Sequence, residues 1–341
     1  MAADPLRDPR RAGVAEGHRD RQGRRGAQEG RHHRPSATAR GRLPGAVRQG
    51  GQGLAASSQG LRSPRLLGVA ALLLLLVACH DGSTATSRDV AIRTNDVQVR
   101  GTHNSYQPPL PPLERQLDEG IRQLELDVWA QPDGRFAVYH SAADRRTTCP
   151  TLDVCLTPVR AWLAGHRRAL PLYLIVEDKD TSAAALDALD GAVRDAMPGR
   201  LLVNPAEVIG HRWPTLAQTR GRVIVIFIGD LAGAYSRTGT SLAGRAMLVY
   251  ASSGPLAAIT SRPDPVAQAP DIAALLRAGL VVRTQADGEE VLIDQHRRQA
   301  ASDTGAQIVS ARDDGFVLPG GVSARCDPLV PSPCHPGDLE R

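Results

Sequence analysis

Apolar, β-rich runs alternate with Ala- and Leu-rich amphipathic stretches along residues 97–341, and several of the runs are apolar on both faces. These two patterns predict an α/β fold, a (β/α)8 TIM-like barrel in a single domain. Strands covered on both sides belong to parallel sheets, and barrels of this kind run to about 250 residues. A doubly wound sheet produces the same alternation, but no G-x-G-x-x-G follows the first strand. A third observation is that polar residues gather at the ends of the runs, where barrel chemistry sits.

In order, the predicted strands are Val97–Gly101, Gln123–Trp129, Leu172–Val176, Val223–Ile228, Met247–Tyr250, Leu280–Arg283, Gln307–Ser310 and a short one at Phe316–Leu318. Each is a short apolar run rich in Val, Ile or Leu, the strand signature. Between them, Ser182–Ala196 and Asp271–Ala278 carry apolar residues at helical spacing. No internal repeat of fixed period is visible.

Composition narrows the class. The 341 residues are 42% apolar, 3% aromatic and 23% charged, which excludes a coiled coil, a collagen and a multi-spanning membrane protein. The net charge of +5 is unevenly placed. Residues 1–60 hold 12 Arg against 5 acids, and Arg62 and Arg65 follow. From residue 80 onward, 27 basic residues face 31 acidic ones, a net −4. The basicity lies ahead of the domain, so nucleic acid is not an expected partner.

Residues 61–79 read as an export signal. Arg62 and Arg65 precede an apolar run from Leu66 to Ala78, thirteen residues, where a bilayer-spanning helix needs about 20. Leu76-Val77-Ala78-Cys79 resembles the bacterial lipobox, which makes Cys79 the lipid anchor. The expected location is outside the cytoplasm, tethered to the cell membrane or outer membrane through residues 80–96. Residues 1–60 are either a disordered segment or the product of a start site assigned too early. Of the five Cys, the remaining four form two close pairs, Cys149 with Cys155 and Cys326 with Cys334. Neither has C-x-x-C spacing, so disulfides are expected rather than zinc.

The polar residues at the predicted strand ends carry the chemistry. The first strand runs into Gly101-Thr102-His103-Asn104-Ser105-Tyr106. The second carries Glu125 and Asp127, two apart and therefore on one face. Phe136-Ala137-Val138-Tyr139 ends in His140, and the third strand runs into Glu177-Asp178-Lys179. Glu125, Asp127, Glu177 and Asn104 form an oxygen donor set suited to a hard cation, Ca²⁺ or Mg²⁺. His103 and His140 beside such an ion are what acid–base chemistry on a phosphodiester requires. Lys179 is the only lysine in the chain, a compact point charge in an otherwise Arg-only sequence.

These segments, with Asp118–Val128, Trp213-Pro214-Thr215-Leu216, Val282-Arg283-Thr284 with Ala286-Asp287, Gly305-Ala306-Gln307 and Arg325-Cys326-Asp327-Pro328, resemble the bacterial calcium-dependent phosphoinositide phospholipase C-like family. The resemblance covers residues 97–334. It implies a TIM-barrel phosphodiesterase acting on a phosphatidylinositol-like lipid or its head group. His103 and His140 would be catalytic, and Asn104, Glu125, Asp127 and Glu177 would hold Ca²⁺. Lys179, Arg283 and Asp287 would contact substrate, and the protein would act as a monomer at a membrane surface. Two segments depart from the family's pattern: Gln285 stands where relatives have Arg, and Ser310 is followed by Ala311-Arg312-Asp313 where relatives read T-D-Y. Two other readings remain. One is a glycerophosphodiester phosphodiesterase-like hydrolase with Mg²⁺ or Ca²⁺, and the other is a non-catalytic barrel-based surface lipoprotein.

Overall fold

A computed structural model describes residues 88–339 apart from 180, 181, 211 and 289–292. The signal segment and Cys79 lie outside the described residues. In chain order the strands are β1 (Val97–Thr102), β2 (Gln123–Ala130), β3 (Phe136–Val138), β4 (Leu172–Asp178), β5 (Val223–Ile228), β6 (Leu248–Val249), β7 (Ile259–Ser261), β8 (Val281–Gln285), β9 (Ile308–Ala311) and β10 (Ala324–Cys326). Eight of them pair in parallel in the order β6-β5-β4-β2-β1-β9-β8-β7. The two ends meet through a parallel bridge between Tyr250 and Ile259, where the Ala251 amide donates to the Ile259 carbonyl at 2.9 Å. This is the parallel α/β barrel that the alternation predicts.

The wall is uneven at one seam. β1 gives one edge to β9, but meets β2 through Gly101 and Gln123 alone. The antiparallel β10 takes the remainder of that edge, pairing Val97–Val99 with Ala324–Cys326. Gly101 is required here, because a Cβ would lie 2.2 Å from Gln123 Oε1. That oxygen accepts from Ser310 Oγ at 2.6 Å and ties β2 to β9 across the seam.

The helices cover the outer face. They include α1 (Leu113–Asp118), α2 (Leu152–Gly165), α3 (Leu186–Ala196), α4 (Leu216–Thr219), α5 (Ala232–Tyr235), α6 (Ala269–Arg277) and α7 (Gln295–Asp303). α3 buries Leu186, Leu189 and Val193, one stripe at helical spacing. Registers place Ile175, Ile226 and Leu248 at one level on neighbouring strands, facing the same way as Glu125. The interior is thus aliphatic along β5 and β6 and polar along β2, with Arg283 of β8 and Ser310 of β9 adding polar groups beside it.

The expected short strand at Phe316–Leu318 does not form. Gly315 and Pro319 bracket it, and Phe316 and Leu318 instead pack with Ala286, Ala301, Val309 and Ala311 as a plug. Both expected disulfides are present, Cys149–Cys155 and Cys326–Cys334.

Beside the second disulfide, Asp327 is buried, and its carboxyl is pushed up to about 6. Burial is the main cause and nearby Asp96 adds to it, against backbone N–H groups that favour the charge. The folded value exceeds the unfolded one, so the protonated carboxyl favours the fold. That contribution, about 3 kcal/mol, is complete below roughly pH 4 and lost as pH rises to 6. In Asp327→Asn, denaturant titrations from pH 4 to 6.5 are expected to lack that loss when compared with the parent. Parallel curves for the two proteins would contradict the assignment.

Candidate active site

Asp127 pairs in register with Glu177, and Glu125 lies two residues earlier on the same face of β2. Ligand oxygens of the three carboxylates lie within 4.8 Å of one another. Glu125 and Asp127 are buried, and Glu177 is half-buried.

The two histidines arrive from either side of this cluster. His103 directly follows β1; its amide donates to the Ala311 carbonyl at 2.8 Å, and its Nε2 is 4.0 Å from Glu125 Oε2. His140 follows β3, which the hairpin lays against β2 by pairing Val128 with Val138. Trp129 Nε1 donates to the Tyr139 carbonyl at 2.8 Å and the two rings stack, which holds the peptide leading into His140. His140 Nδ1 lies 3.2 Å from Asp127 Oδ2. An ionised carboxylate only accepts, so Nδ1 carries the hydrogen and donates, leaving Nε2 to exchange protons.

Asn104 turns the chain between them with φ +51°, a left-handed conformation that Asn tolerates. Its Nδ2 is 3.4 Å from His140 Nδ1. Its Oδ1 is buried without a hydrogen-bond partner among the described residues, as is Asp127 Oδ1. Two orphaned acceptor oxygens beside three gathered carboxylates fit a hard cation, which would satisfy them at once. The donors are all oxygen, which suits Ca²⁺ or Mg²⁺ better than zinc.

Two side-chain cations offset the acidic charge. Lys179 Nζ lies 2.7 Å from Glu177 Oε1 and 3.5 Å from Asp127 Oδ2. Burial works against its charge, but these contacts outweigh it and hold its pKa above the ordinary lysine value. Arg283, on β8, is buried, forks onto both oxygens of Glu125 and donates from Nε to Ser310 Oγ at 2.8 Å. Burial and then Glu177 push the Asp127 carboxyl up to about 6, against the pull of Lys179. Burial likewise depresses the His103 pKa; Glu125 opposes, while Arg283, Arg312 and His140 reinforce it. His103 is therefore neutral and proton-accepting near pH 7.

The structure thus brings together seven of the residues singled out from sequence: His103, Asn104, Glu125, Asp127, His140, Glu177 and Lys179. Arg283 joins them in a different manner from that expected. It is paired with Glu125 inside the barrel rather than presented at the mouth to a substrate phosphate. Asp287 lies apart, clamped by Arg298 at 2.7 and 2.9 Å and by the Arg312 amide at 2.8 Å. Its carboxylate links the segments after β8 and β9, so a substrate contact gains no support from its position. Sequence reasoning missed Tyr106, a buried phenol whose pKa rises through burial and the nearby Asp127 charge. It stands two residues beyond Asn104 and carries no strand-end signature.

A family model described as Ca²⁺-dependent phosphoinositide phospholipase C matches residues 135–314. The fold is similar to the calcium-dependent phosphoinositol-specific phospholipase C of Pseudomonas sp. in its myo-inositol complex. That match has a TM-score of 0.55 at 18% identity, covering 70% of this chain and 96% of the other. It is also similar to the Ca²⁺-dependent phosphatidylinositol-specific enzyme of Streptomyces antibioticus, with a TM-score of 0.51 at 18% identity, covering 66% and 96%. Among curated protein sequences none matches significantly. By class, then, this is a TIM-barrel phosphodiesterase. The chain belongs to the Ca²⁺-dependent phosphoinositide phospholipase C family.

Proposed function

We propose that the protein cleaves the phosphodiester of a phosphatidylinositol-like lipid, releasing diacylglycerol and an inositol phosphate. The observation that carries this reading is the pair of unlike histidines about one carboxylate cluster. His103 is half-buried, and that burial holds it neutral, whereas His140 Nδ1 donates to the Asp127 carboxylate. His103 accepts the proton of the attacking inositol 2-hydroxyl, and His140 gives a proton to the departing glycerol oxygen. The hydroxyl oxygen bonds to phosphorus as the bond to glycerol breaks, leaving a cyclic phosphate. Asn104, Glu125, Asp127 and Glu177 are the residues that would hold Ca²⁺. Held there, the ion supplies neutralisation of phosphate charge and a lowered hydroxyl pKa. Lys179 orients Glu177 and Asp127, and Arg283 fixes Glu125.

Chromogenic inositol-phosphate and glycerol-phosphate esters, each with and without chelator, test the reading. The inositol ester is expected to be cleaved, with chelation abolishing turnover. Preference for the glycerol ester would favour a glycerophosphodiesterase, and cleavage of neither a binding barrel.

Export and anchoring form a separate part of the proposal, supported by the segment ending in Cys79. Cys79→Ala is expected to move the protein from the membrane fraction to the soluble one. Equal membrane retention of the parent and Cys79→Ala would refute the anchor.

A further inference from the structure

The short helix α1 buries Leu113, Gln116 and Leu117, and the middle of that stripe is an amide. Gln116 has no exposed surface. Burying a carboxamide in place of a leucine costs free energy unless its polar atoms find partners. All three of its hydrogen bonds go to the chain between β1 and α1. Nε2 donates to the Ser105 and Pro111 carbonyls, each at 2.7 Å, and Oε1 accepts from Thr102 Oγ1 at 2.7 Å. Two carbonyls on one side require the nitrogen there, which fixes the orientation of the amide.

The direction of the remaining bonds follows. Thr102 gives its hydroxyl hydrogen to Gln116, so across the 2.7 Å contact between the two hydroxyls Ser105 donates and Thr102 accepts. The Thr102 carbonyl, at 3.1 Å, is a longer second acceptor for Ser105 Oγ. Ser105 Oγ in turn accepts from the Glu125 amide at 2.8 Å, and the Ser105 amide donates to the Glu125 carbonyl at 3.0 Å. Thr102 and Ser105 are fully buried as well. One chain of bonds therefore runs from Glu125 through Ser105 and Thr102 to Gln116.

Between the two residues that Gln116 grips lie His103 and Asn104. A single side chain thus holds both ends of a dipeptide that carries a histidine and a cation ligand of the proposed reaction. The grip falls where the barrel wall is weakest, because β1 and β2 share only the Gly101–Gln123 pair. Past that pair Ser105 joins the turn to β2. Asn104 sits at φ +51°, a conformation that persists in a non-glycine residue when its surroundings impose it.

We propose that Gln116 is a positioning residue: through Thr102 and Ser105 it fixes where His103 and Asn104 stand relative to Glu125, and so sets both turnover and cation affinity. This rests on the phospholipase reading given above, and adds a residue that touches neither substrate nor cation.

Two variants cut the chain of bonds at different points. Gln116→Met keeps the volume and removes all three bonds, whereas Thr102→Val keeps the shape and leaves Gln116 Oε1 without its donor. Each is compared with the parent in kinetics on an inositol-phosphate ester at saturating Ca²⁺, and in thermal melting across a Ca²⁺ titration begun from chelated protein. Misplacing a reacting group by about 1 Å costs roughly a hundredfold in rate, and groups behind metal ligands typically contribute about 10–100-fold in affinity. Gln116→Met is therefore expected to lower kcat about tenfold or more with KM within about twofold, and to raise the Ca²⁺ midpoint about tenfold. Thr102→Val should move both in the same direction by less. The double variant should be no worse than Gln116→Met, since both residues act through one chain of bonds. A residue that merely filled the wall would lower the melting temperature in chelator and nothing else. A Gln116→Met protein with the parent's kcat or the parent's Ca²⁺ midpoint overturns the proposal. If Gln116→Met does not fold, Thr102→Val decides by the same two readouts. A parent that cleaves no ester overturns the phospholipase reading, and the Ca²⁺ midpoints then decide the role of Gln116.

Discussion

His140→Ala is expected to lower kcat by about 10²–10⁴, with His103→Ala in the same range, while both proteins remain folded. Both side chains sit at strand ends, outside the aliphatic interior, so truncation leaves no core cavity. The double variant should lose far less than the product of the single losses, because both residues act on one transition state. The split between the two is informative. With an artificial substrate whose leaving group needs no proton, His140→Ala should recover much of its activity and His103→Ala should not. Stopped assays on the natural-type and activated esters, with circular dichroism as a check on folding, measure this. Retention of more than about a tenth of the activity in either variant would remove that histidine from the reaction.

Arg283→Met is expected to produce the largest loss of stability, about 3–5 kcal/mol in chelator. The guanidinium and the Glu125 carboxylate are both buried, and they form a forked pair inside the barrel. Removing one partner leaves an uncompensated buried charge, whose desolvation nothing then offsets. Burial works against the Arg283 charge, yet Glu125 outweighs it and keeps the guanidinium firmly protonated. Adding Glu125→Gln to Arg283→Met should restore much of the stability, since no lone charge then remains. Denaturant unfolding of the two single variants and the double variant gives the coupling directly. A loss below about 1 kcal/mol in Arg283→Met would mean that water or another group compensates Glu125.

Much of this site was legible because its parts are local. Glu125 and Asp127 are two residues apart, and one residue type at that spacing on a strand fixes a shared face. The apolar runs of β2, β4 and β5 are long enough for their pattern to be unmistakable, and Val223–Ile228 matches its expected limits. β7 escaped because Ile259–Ser261 is three residues between prolines, too short to show any period. Phe316–Leu318 misled for the opposite reason: its apolar residues serve as a plug under α7, and composition alone does not separate a plug from a strand. β10 reads Ala-Arg-Cys, with no strand preference of its own; the vacant edge of β1 makes it a strand. The Arg283–Glu125 pair joins residues 158 positions apart, which a local pattern does not reveal. The disulfides were legible because each closes a short loop.

Asn104, Glu125, Asp127 and Glu177 are proposed to form one hard-cation site that serves the reaction. The most direct measurement is thermal melting of the parent and Asp127→Asn across a Ca²⁺ titration, begun from chelated protein. Binding to the folded state alone at a hundredfold excess over Kd contributes about 2.7 kcal/mol, which for a domain of this size raises Tm by roughly 5–10 °C. That rise is expected in the parent and should be lost in Asp127→Asn, which removes a ligand charge and keeps the shape. Activity should appear in the parent along the same Ca²⁺ curve. An Asp127→Asn protein with the parent's Ca²⁺ response, or a parent that turns over fully in chelator, would contradict it.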